Sequence, residues 1–274
     1  MTHILFITNQ CNLACEYCYE QQERHKTKPF FVSDEEIDVL IHSINKSSDQ
    51  HHCVVLFGGE PLLKPDLVQH VILSVLNNVK KDKMITFNLI TNGIYFSDKE
   101  NLEKWHDFIQ KHNVYISYDI SFDGFDDKRR VDKSGKPVVD KIIKCLNNFE
   151  ELNIPYRISY TLHKANLNSF INDFIQIRER FKNCQRIILR VNFKEVVSEL
   201  HMKSLEEFKQ YLKQVMSVVY IYLRIPICEW VCNLCDVNCK STTVKYVVAN
   251  EEEDSEMVFN KFTKREQKLS KEER

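Results

Sequence analysis

The chain has 274 residues, of which 43% are hydrophobic, and its formal net charge is −1. It is large enough to bury a full core, with one principal domain and a modest extension. The near-zero charge excludes a large basic surface for nucleic acid or an anionic membrane. No apolar segment reaches the roughly 20 residues that span a bilayer. With no signal-peptide pattern at its start, the sequence predicts a cytoplasmic protein.

Strand and helix patterns alternate over residues 1–225, which predicts an α/β domain with a parallel sheet and crossover helices. Six apolar runs are expected to be strands: residues 4–8, 53–57, 85–91, 114–121, 156–161 and 186–193. Six helical patterns accompany them: residues 33–48, 65–80, 98–111, 137–152, 166–182 and 203–222. Ser33 and Glu36 form a capping-box pattern at the first helix, and Pro65 suits a first helical turn.

The character of the sequence changes after Pro226. Residues 226–250 form a small cysteine-rich extension, and residues 251–274 form a charged tail that we expect to be flexible. The ten cysteines of the chain argue for metal ligation, because a cytosolic protein keeps its thiols reduced.

Two motifs follow the first two predicted strands. Cys11, Cys15 and Cys18 stand in a Cys-x3-Cys-x2-Cys loop, and Gly58-Gly59-Glu60-Pro61 comes directly after the second strand. Three thiolates can hold three irons of a cubic [4Fe-4S] cluster and leave the fourth iron open, whereas structural zinc normally takes four ligands. The chain resembles the radical S-adenosylmethionine (SAM) superfamily in both motifs.

This resemblance implies a partial (β/α)6 TIM-type barrel with chemistry at the carboxyl ends of the strands. It also implies a [4Fe-4S] cluster at Cys11, Cys15 and Cys18, whose open iron binds the amino and carboxylate groups of SAM. In that family, reductive cleavage of SAM gives a 5′-deoxyadenosyl radical that abstracts hydrogen from a substrate.

Residues near SAM follow from the same resemblance. Tyr17 is expected near the adenine, although packing against the first helix explains it equally well. Gly58 and Gly59 are expected to let the backbone approach the methionine end, and Glu60 to accept a hydrogen bond from its amino group. Asn92, in a turn after the third strand, is a further candidate, with turn chemistry as the alternative.

The end of the fourth predicted strand carries a second group of candidates. Ser121 and Asp123 stand in a Ser-x-Asp-Gly segment like that of family members with extra C-terminal clusters, where these side chains contact the ribose. Arg130 is the expected partner of the SAM carboxylate and Arg129 the alternative, since an arginine fork suits a carboxylate. A solvated basic loop would explain both arginines as well.

Substrate-handling residues are less well indicated. Glu195, Arg190 and Asn192 lie on or just after the sixth predicted strand and are weak catalytic candidates. The ten histidines show no metal-ligand spacing, so core or surface positions are expected for them. Cys53, Cys145 and Cys184 are expected in the core.

Four cysteines of the extension form the second metal pattern: Cys228, Cys232, Cys235 and Cys239. Their position is like that of the auxiliary-cluster extensions called SPASM or twitch, but their spacing is tighter than in those extensions. One auxiliary [4Fe-4S] cluster is the first hypothesis, structural zinc the second and free thiols the third, because thiolate-rich sites suit either metal.

The motif style is most similar to peptide- and protein-modifying radical SAM enzymes, such as anaerobic sulfatase-maturating enzymes. A peptide or protein is therefore the expected substrate, and a flavodoxin or ferredoxin the expected electron donor. The cysteine loop begins at residue 11, so the expectation is either a separate leader-peptide-binding protein or a substrate that is folded, leaderless or small. The alternatives are a glycyl-radical-enzyme activase, a small-molecule radical SAM enzyme and, lastly, a non-catalytic metal-stapled interaction protein.

Overall fold

The computed structural model describes residues 1–18, 28–192 and 195, together with the backbone of residues 244–248 and 251–254. Its helices and strands alternate along the chain. The strands are β1 Thr2–Thr8, β2 His51–Gly58, β3 Met84–Thr91, β4 Ile116–Ser121, β5 Tyr156–Leu162, β6 Cys184–Val191, β7 Val244–Val248 and β8 Glu251–Asp254. The helices are α1 Asp34–Lys46, α2 Pro65–Asn78, α3 Lys99–Lys111, α4 Val139–Glu151 and α5 Phe170–Arg180.

The strands form one sheet in the order β6-β5-β4-β3-β2-β1-β7-β8. Every neighbouring pair from β1 to β6 is parallel, which confirms the predicted six-stranded parallel sheet with crossover helices. β7 adds to the other side of β1 in parallel, and β8 pairs with β7 in an antiparallel direction. The acidic residues of β8 therefore form a strand at the start of the segment that we expected to be a flexible tail.

Local sequence explains where the helices begin. Ser33 accepts a hydrogen bond from the Glu36 amide while the Glu36 carboxylate accepts one from the Ser33 amide, so the predicted capping box is present at α1. Pro65 occupies the first turn of α2. The helix predicted at residues 203–222 and the four cysteines of the extension lie outside the described residues.

The helices cover the sheet with apolar faces. α1 buries Ile37, Leu40, Ile41 and Ile44 at helical spacing. Under α3 and α4, Phe96 makes edge-to-face contacts with Trp105, Tyr118 and Phe149, a geometry that aromatic rings favour. This core fixes the parallel strands, so the segments after β1 to β5 meet at one edge of the sheet.

Candidate functional site

The cysteine loop lies at the carboxyl end of β1. The Leu13 amide donates to the Cys11 sulfur at 3.4 Å, and the Cys18 amide donates to the Cys15 carbonyl at 3.1 Å. The pKa of Cys15 is raised to about 11, mainly by burial; Arg130 opposes the shift, and Cys11 and Cys18 add to it. The Cys15 thiol therefore has to lose a proton when it binds iron.

A segment much later in the sequence, residues 129–131, also holds the cysteine loop by backbone hydrogen bonds. The Ala14 amide donates to the Val131 carbonyl at 2.8 Å, and the Glu16 amide donates to the Arg129 carbonyl at 3.1 Å. Residues 129–131 thus pair with the loop as a short ribbon, which brings the backbone of both basic candidates to the cysteine loop.

Gly58 and Gly59 hold the loop from the side of β2. A Cβ atom on Gly58 would lie 2.2 Å from the Thr8 carbonyl oxygen, and one on Gly59 would lie 2.1 Å from that of Gln10. The Gly59 amide donates to Thr8 and the Glu60 amide to Gln10. Both glycines are therefore required where two backbones touch, whereas the sequence motif alone suggested an approach to SAM.

The carboxylate of Glu60 links the end of β2 to the end of β3 by hydrogen bonds. One carboxylate oxygen accepts from the Leu62 amide and the Thr91 hydroxyl, and the other accepts from the Asn92 amide at 2.7 Å. Burial raises the pKa of Glu60, and these hydrogen bonds oppose the shift. Both oxygens of Glu60 therefore have protein partners. The expected contact with the SAM amino group remains a prediction.

Asn92 connects Glu60 to the cysteine loop. Its side-chain amide donates to Asn12 Oδ1 at 2.8 Å and lies 3.7 Å from the Cys11 sulfur, and its Oδ1 accepts from the Ile94 amide. Asn92 therefore faces the cysteine loop and also makes the turn contact that was the alternative, while its expected place near SAM remains a prediction.

Arg130 lies between the cysteines and Asp123. Its guanidinium donates to Asp123 at 2.7 Å and lies 3.9 Å from the Cys15 sulfur, while its buried Nε has no partner among the described residues. The Tyr17 hydroxyl also donates to Asp123, whose other oxygen accepts from the Thr161 amide. The Asp123 carboxylate thus organises Tyr17 and Arg130, and its expected contact with a ribose remains a prediction.

The side chain of Arg129 pairs with two glutamates. It makes a two-pronged ion pair with Glu195, with N···O distances of 2.5 and 2.9 Å, and its Nε donates to Glu16 at 3.1 Å. The hydrogen bond from Arg129 is the main cause that holds the pKa of Glu195 below its usual range. Arg129 is therefore paired with Glu195. Arg130 is the basic side chain next to Cys15.

The remaining candidates are spread along the same edge. Ser121 ends β4, and its hydroxyl has no hydrogen-bond partner in the described part of the chain. Arg190 is exposed on β6 and donates to Ser159 at 2.9 Å. Asn192 accepts from the Glu195 amide at 3.4 Å. No described contact links Arg190 or Asn192 to the cysteines.

His163 is a residue that the sequence interpretation missed. It follows β5, is 1% exposed, and neither ring nitrogen has a hydrogen-bond partner in the described part of the chain. Its ring lies against Tyr17, with the centroids 5.2 Å apart. Its position at the carboxyl end of a strand was the only available signal, because an isolated histidine carries no motif.

The residues present fit an iron-sulfur cluster and SAM. Three cysteine sulfurs are the donors that such clusters take. Arg130 beside Cys15 and His163 against Tyr17 have buried nitrogens without partners among the described residues, which polar groups of a ligand could satisfy. Within the described residues no three acidic, cysteine or histidine side chains converge on a single metal ion. A cluster requires no such convergence, because each thiolate binds a different iron.

Comparison with known proteins identifies the family. The model of the Radical SAM superfamily matches residues 5–174. The chain belongs to the radical SAM superfamily. It is 27% identical to a serine-type anaerobic sulfatase-maturating enzyme of Bacteroides thetaiotaomicron, over 73% of this chain and 49% of that enzyme. It is 26% identical to a probable GTP 3′,8-cyclase of Methanocaldococcus jannaschii, over 71% of this chain and 59% of the cyclase.

A solved structure shows the same fold. Native anSMEcpe with bound AdoMet superposes with a TM-score of 0.64 at 17% identity, over 82% of this chain and 63% of that one. The chain is therefore a radical SAM enzyme by family and has the fold of that structure, and the family implies a [4Fe-4S] cluster and SAM. The chain spans about half the length of the sulfatase-maturating relative. None of the described helices is long and apolar enough to cross a membrane.

Proposed function

We propose that this enzyme binds a [4Fe-4S] cluster through Cys11, Cys15 and Cys18 and uses SAM to modify a peptide or protein. The observation that carries the proposal is the backbone docking of the cysteine loop onto both Gly59-Glu60 and residues 129–131. A cluster held by these three cysteines would supply the one-electron chemistry that cleaves SAM and starts hydrogen abstraction from the substrate.

The chain's own residues would position SAM. Arg130 is the proposed partner of its carboxylate, because the guanidinium is buried next to Cys15 and its Nε has no partner among the described residues. Ser121, with an unpartnered hydroxyl in the described part of the chain, is the proposed contact for the sugar. Tyr17 and His163 would face the nucleoside. Glu60 and Asp123 would act behind these residues by fixing Asn92 and Arg130.

The peptide or protein substrate is supported by the relatives. The sulfatase-maturating enzyme matches over 73% of this chain, and the sporulation killing factor maturation protein SkfB of Bacillus subtilis matches over 63%. A one-electron donor of the flavodoxin or ferredoxin class would reduce the cluster, and a separate leader-binding protein would deliver the substrate. The auxiliary metal at Cys228, Cys232, Cys235 and Cys239 remains part of this proposal.

A small-molecule reaction is the second candidate, because a probable GTP 3′,8-cyclase matches over 71% of this chain. The two candidates differ in the product. Mass spectrometry would detect loss of hydrogen or a new crosslink in a peptide encoded near the gene in one case, and a changed nucleotide after incubation with GTP in the other.

The test begins with anaerobic reconstitution of the whole chain. We expect the wild type to bind iron and sulfide and to form 5′-deoxyadenosine from SAM, and a Cys11/Cys15/Cys18→Ala variant to form none. Cys53→Ala is the matched control, because Cys53 lies at the opposite end of β2 and should leave the reaction unchanged. SAM cleavage by the triple variant would overturn the proposed cluster site.

The same measurement tests the extension. Under the auxiliary-cluster hypothesis, changing Cys228, Cys232, Cys235 and Cys239 to Ala removes about four irons. Under the zinc hypothesis it removes zinc and leaves the iron content unchanged.

A further inference from the structure

The side chain of Asn92 is fixed in one orientation at the end of β3. Its backbone amide donates to Glu60 at 2.7 Å, and its Oδ1 accepts from the Ile94 amide at 3.0 Å. Because the oxygen must face the Ile94 N–H, the NH2 group must face the cysteine loop. Asn92 is buried, so water does not compete for these hydrogen bonds.

The NH2 group of Asn92 has two hydrogens and two acceptors. Asn12 Oδ1 lies 2.8 Å from the nitrogen and the Cys11 sulfur lies 3.7 Å from it. The Leu13 amide also donates to the same sulfur at 3.4 Å. Cys11 is thus placed between a backbone donor and a side-chain donor, and the side-chain donor comes from a different strand.

An N–H group that points at a metal-bound thiolate stabilises negative charge on the sulfur. A reduced iron-sulfur cluster carries one more negative charge than an oxidised one. Such hydrogen bonds therefore favour the reduced state and raise the reduction potential of the cluster. Such a donor would act through the cysteine sulfur.

We propose that Asn92 is a positioning residue that raises the reduction potential of the cluster through an N–H···S hydrogen bond to Cys11, with Glu60 holding Asn92 in place. This inference rests on the proposed cluster at Cys11, Cys15 and Cys18. The step concerned is the transfer of one electron from an external reductant to the cluster, in which no covalent bond forms or breaks. The easier the cluster is to reduce, the weaker the electron donor that can drive the enzyme.

The test is a redox titration followed by electron paramagnetic resonance on the reconstituted whole chain, without SAM and with dithionite as reductant. Asn92→Asp keeps the size of the side chain and an acceptor for the Ile94 amide, but replaces the NH2 donor with an oxygen. Asn92→Leu removes the donor without adding charge. We expect a lower reduction potential than wild type in both variants, with the larger decrease in Asn92→Asp because of its negative charge.

Asn88→Leu is the matched control. Asn88 lies on the same strand, is similarly buried, and donates to Asp119 at 3.1 Å with no described contact to a cysteine. Its variant should keep the wild-type potential. Resonance Raman spectra of the oxidised cluster provide a second readout, because loss of an N–H···S bond shifts the Fe–S(Cys) stretching frequencies.

The outcomes separate the inference from the proposed function. An unchanged potential in Asn92 variants with full iron content would overturn the inference and leave the function intact. Failure of both variants to bind iron would also overturn it, since Asn92 would then serve assembly and not redox tuning. A wild-type chain that binds no iron would instead refute the proposed function itself.

Discussion

The ring of His163 stacks on the ring of Tyr17, with the ring planes 28° apart. The backbone of His163 is equally well defined, because its amide donates to Asn166 Oδ1 at 2.8 Å and Asn166 in turn donates to Thr161 and Asp123. Neither ring nitrogen has a partner among the described residues, and a buried polar group in that condition leaves a place for a hydrogen bond from a ligand.

His163→Phe tests this relationship. Phenylalanine keeps the stacking on Tyr17 but removes both nitrogens, so we expect SAM affinity to fall about two- to twelvefold, as for a lost hydrogen bond of about 0.5–1.5 kcal/mol. Calorimetric titration with S-adenosylhomocysteine measures this without turnover. His42→Phe, exposed on α1, is the control, and an unchanged affinity in His163→Phe would show that the ring serves packing alone.

Gly59→Ala should separate the cysteine loop from β2. The new Cβ would lie 2.1 Å from the Gln10 carbonyl, so one of the two backbones must move, at a cost of about 1–3 kcal/mol in the free energy of unfolding. Iron content after reconstitution and urea denaturation measure the two effects, and we expect both to decrease.

Gly135→Ala is the comparison for that variant, because nothing lies within 4 Å of its Cβ position. Its backbone φ is +83°, so it should lose about 1 kcal/mol of stability through backbone strain and still bind iron normally. Equal iron loss in the two variants would contradict the role given to Gly59.

Glu195→Gln distinguishes a catalytic from a structural carboxylate. Arg129 occupies both oxygens of Glu195 and keeps its pKa low, so the group is an anion at neutral pH and a poor proton donor. We expect 5′-deoxyadenosine formation to change less than about threefold, whereas loss of a general acid or base costs about 100-fold or more. A loss of that larger size, with SAM affinity unchanged, would restore Glu195 as a catalytic candidate.

The surroundings of His52 predict that the folded protein loses stability in acid. His3 donates to its Nδ1 at 2.9 Å, and its other nitrogen donates to the Asp49 carbonyl at 2.9 Å. Burial lowers the pKa of His52, Lys83 and the amino terminus lower it further, and the Asp49 groups oppose the shift. The folded protein therefore prefers the neutral ring.

Below the ordinary histidine pKa of about 6.5, the unfolded chain takes up a proton that the folded chain does not. Stability is thus fully present above pH 6.5 and falls as the pH decreases toward the folded pKa. Urea denaturation from pH 7.5 to 5 should show this slope in the wild type, a smaller slope in His52→Gln, and the wild-type slope in His42→Gln. Identical slopes in all three proteins would exclude His52 as the source.

Local signals predicted most of the fold. Alternating apolar runs identified the six parallel strands, and the Ser33 and Glu36 pattern identified the start of α1, because these features depend on residues close in sequence. The cysteine loop is also a local pattern, and together with the Gly58-Gly59-Glu60-Pro61 motif it led to the family that the comparisons identify, whereas its role as a set of iron ligands remains a prediction.

Contacts between distant segments could not be predicted in this way. Nothing near Glu60 indicates that its carboxylate is used by Thr91 and Asn92, and nothing near His163 indicates Tyr17. These pairings depend on which segments follow neighbouring strands and therefore on the complete sheet. The metal of Cys228, Cys232, Cys235 and Cys239 also stays a prediction, since these cysteines lie outside the described residues.

The backbone partners of the cysteine loop have a consequence for biosynthesis. Ala14 and Glu16 are held by carbonyl groups of Val131 and Arg129, more than a hundred residues later in the chain. During translation these partners leave the ribosome long after the cysteines do, and non-local contacts of this kind form late in folding. We therefore expect the three thiols to reach their final spacing only after the first four strands have assembled, and the proposed cluster to be inserted into a chain that has already folded.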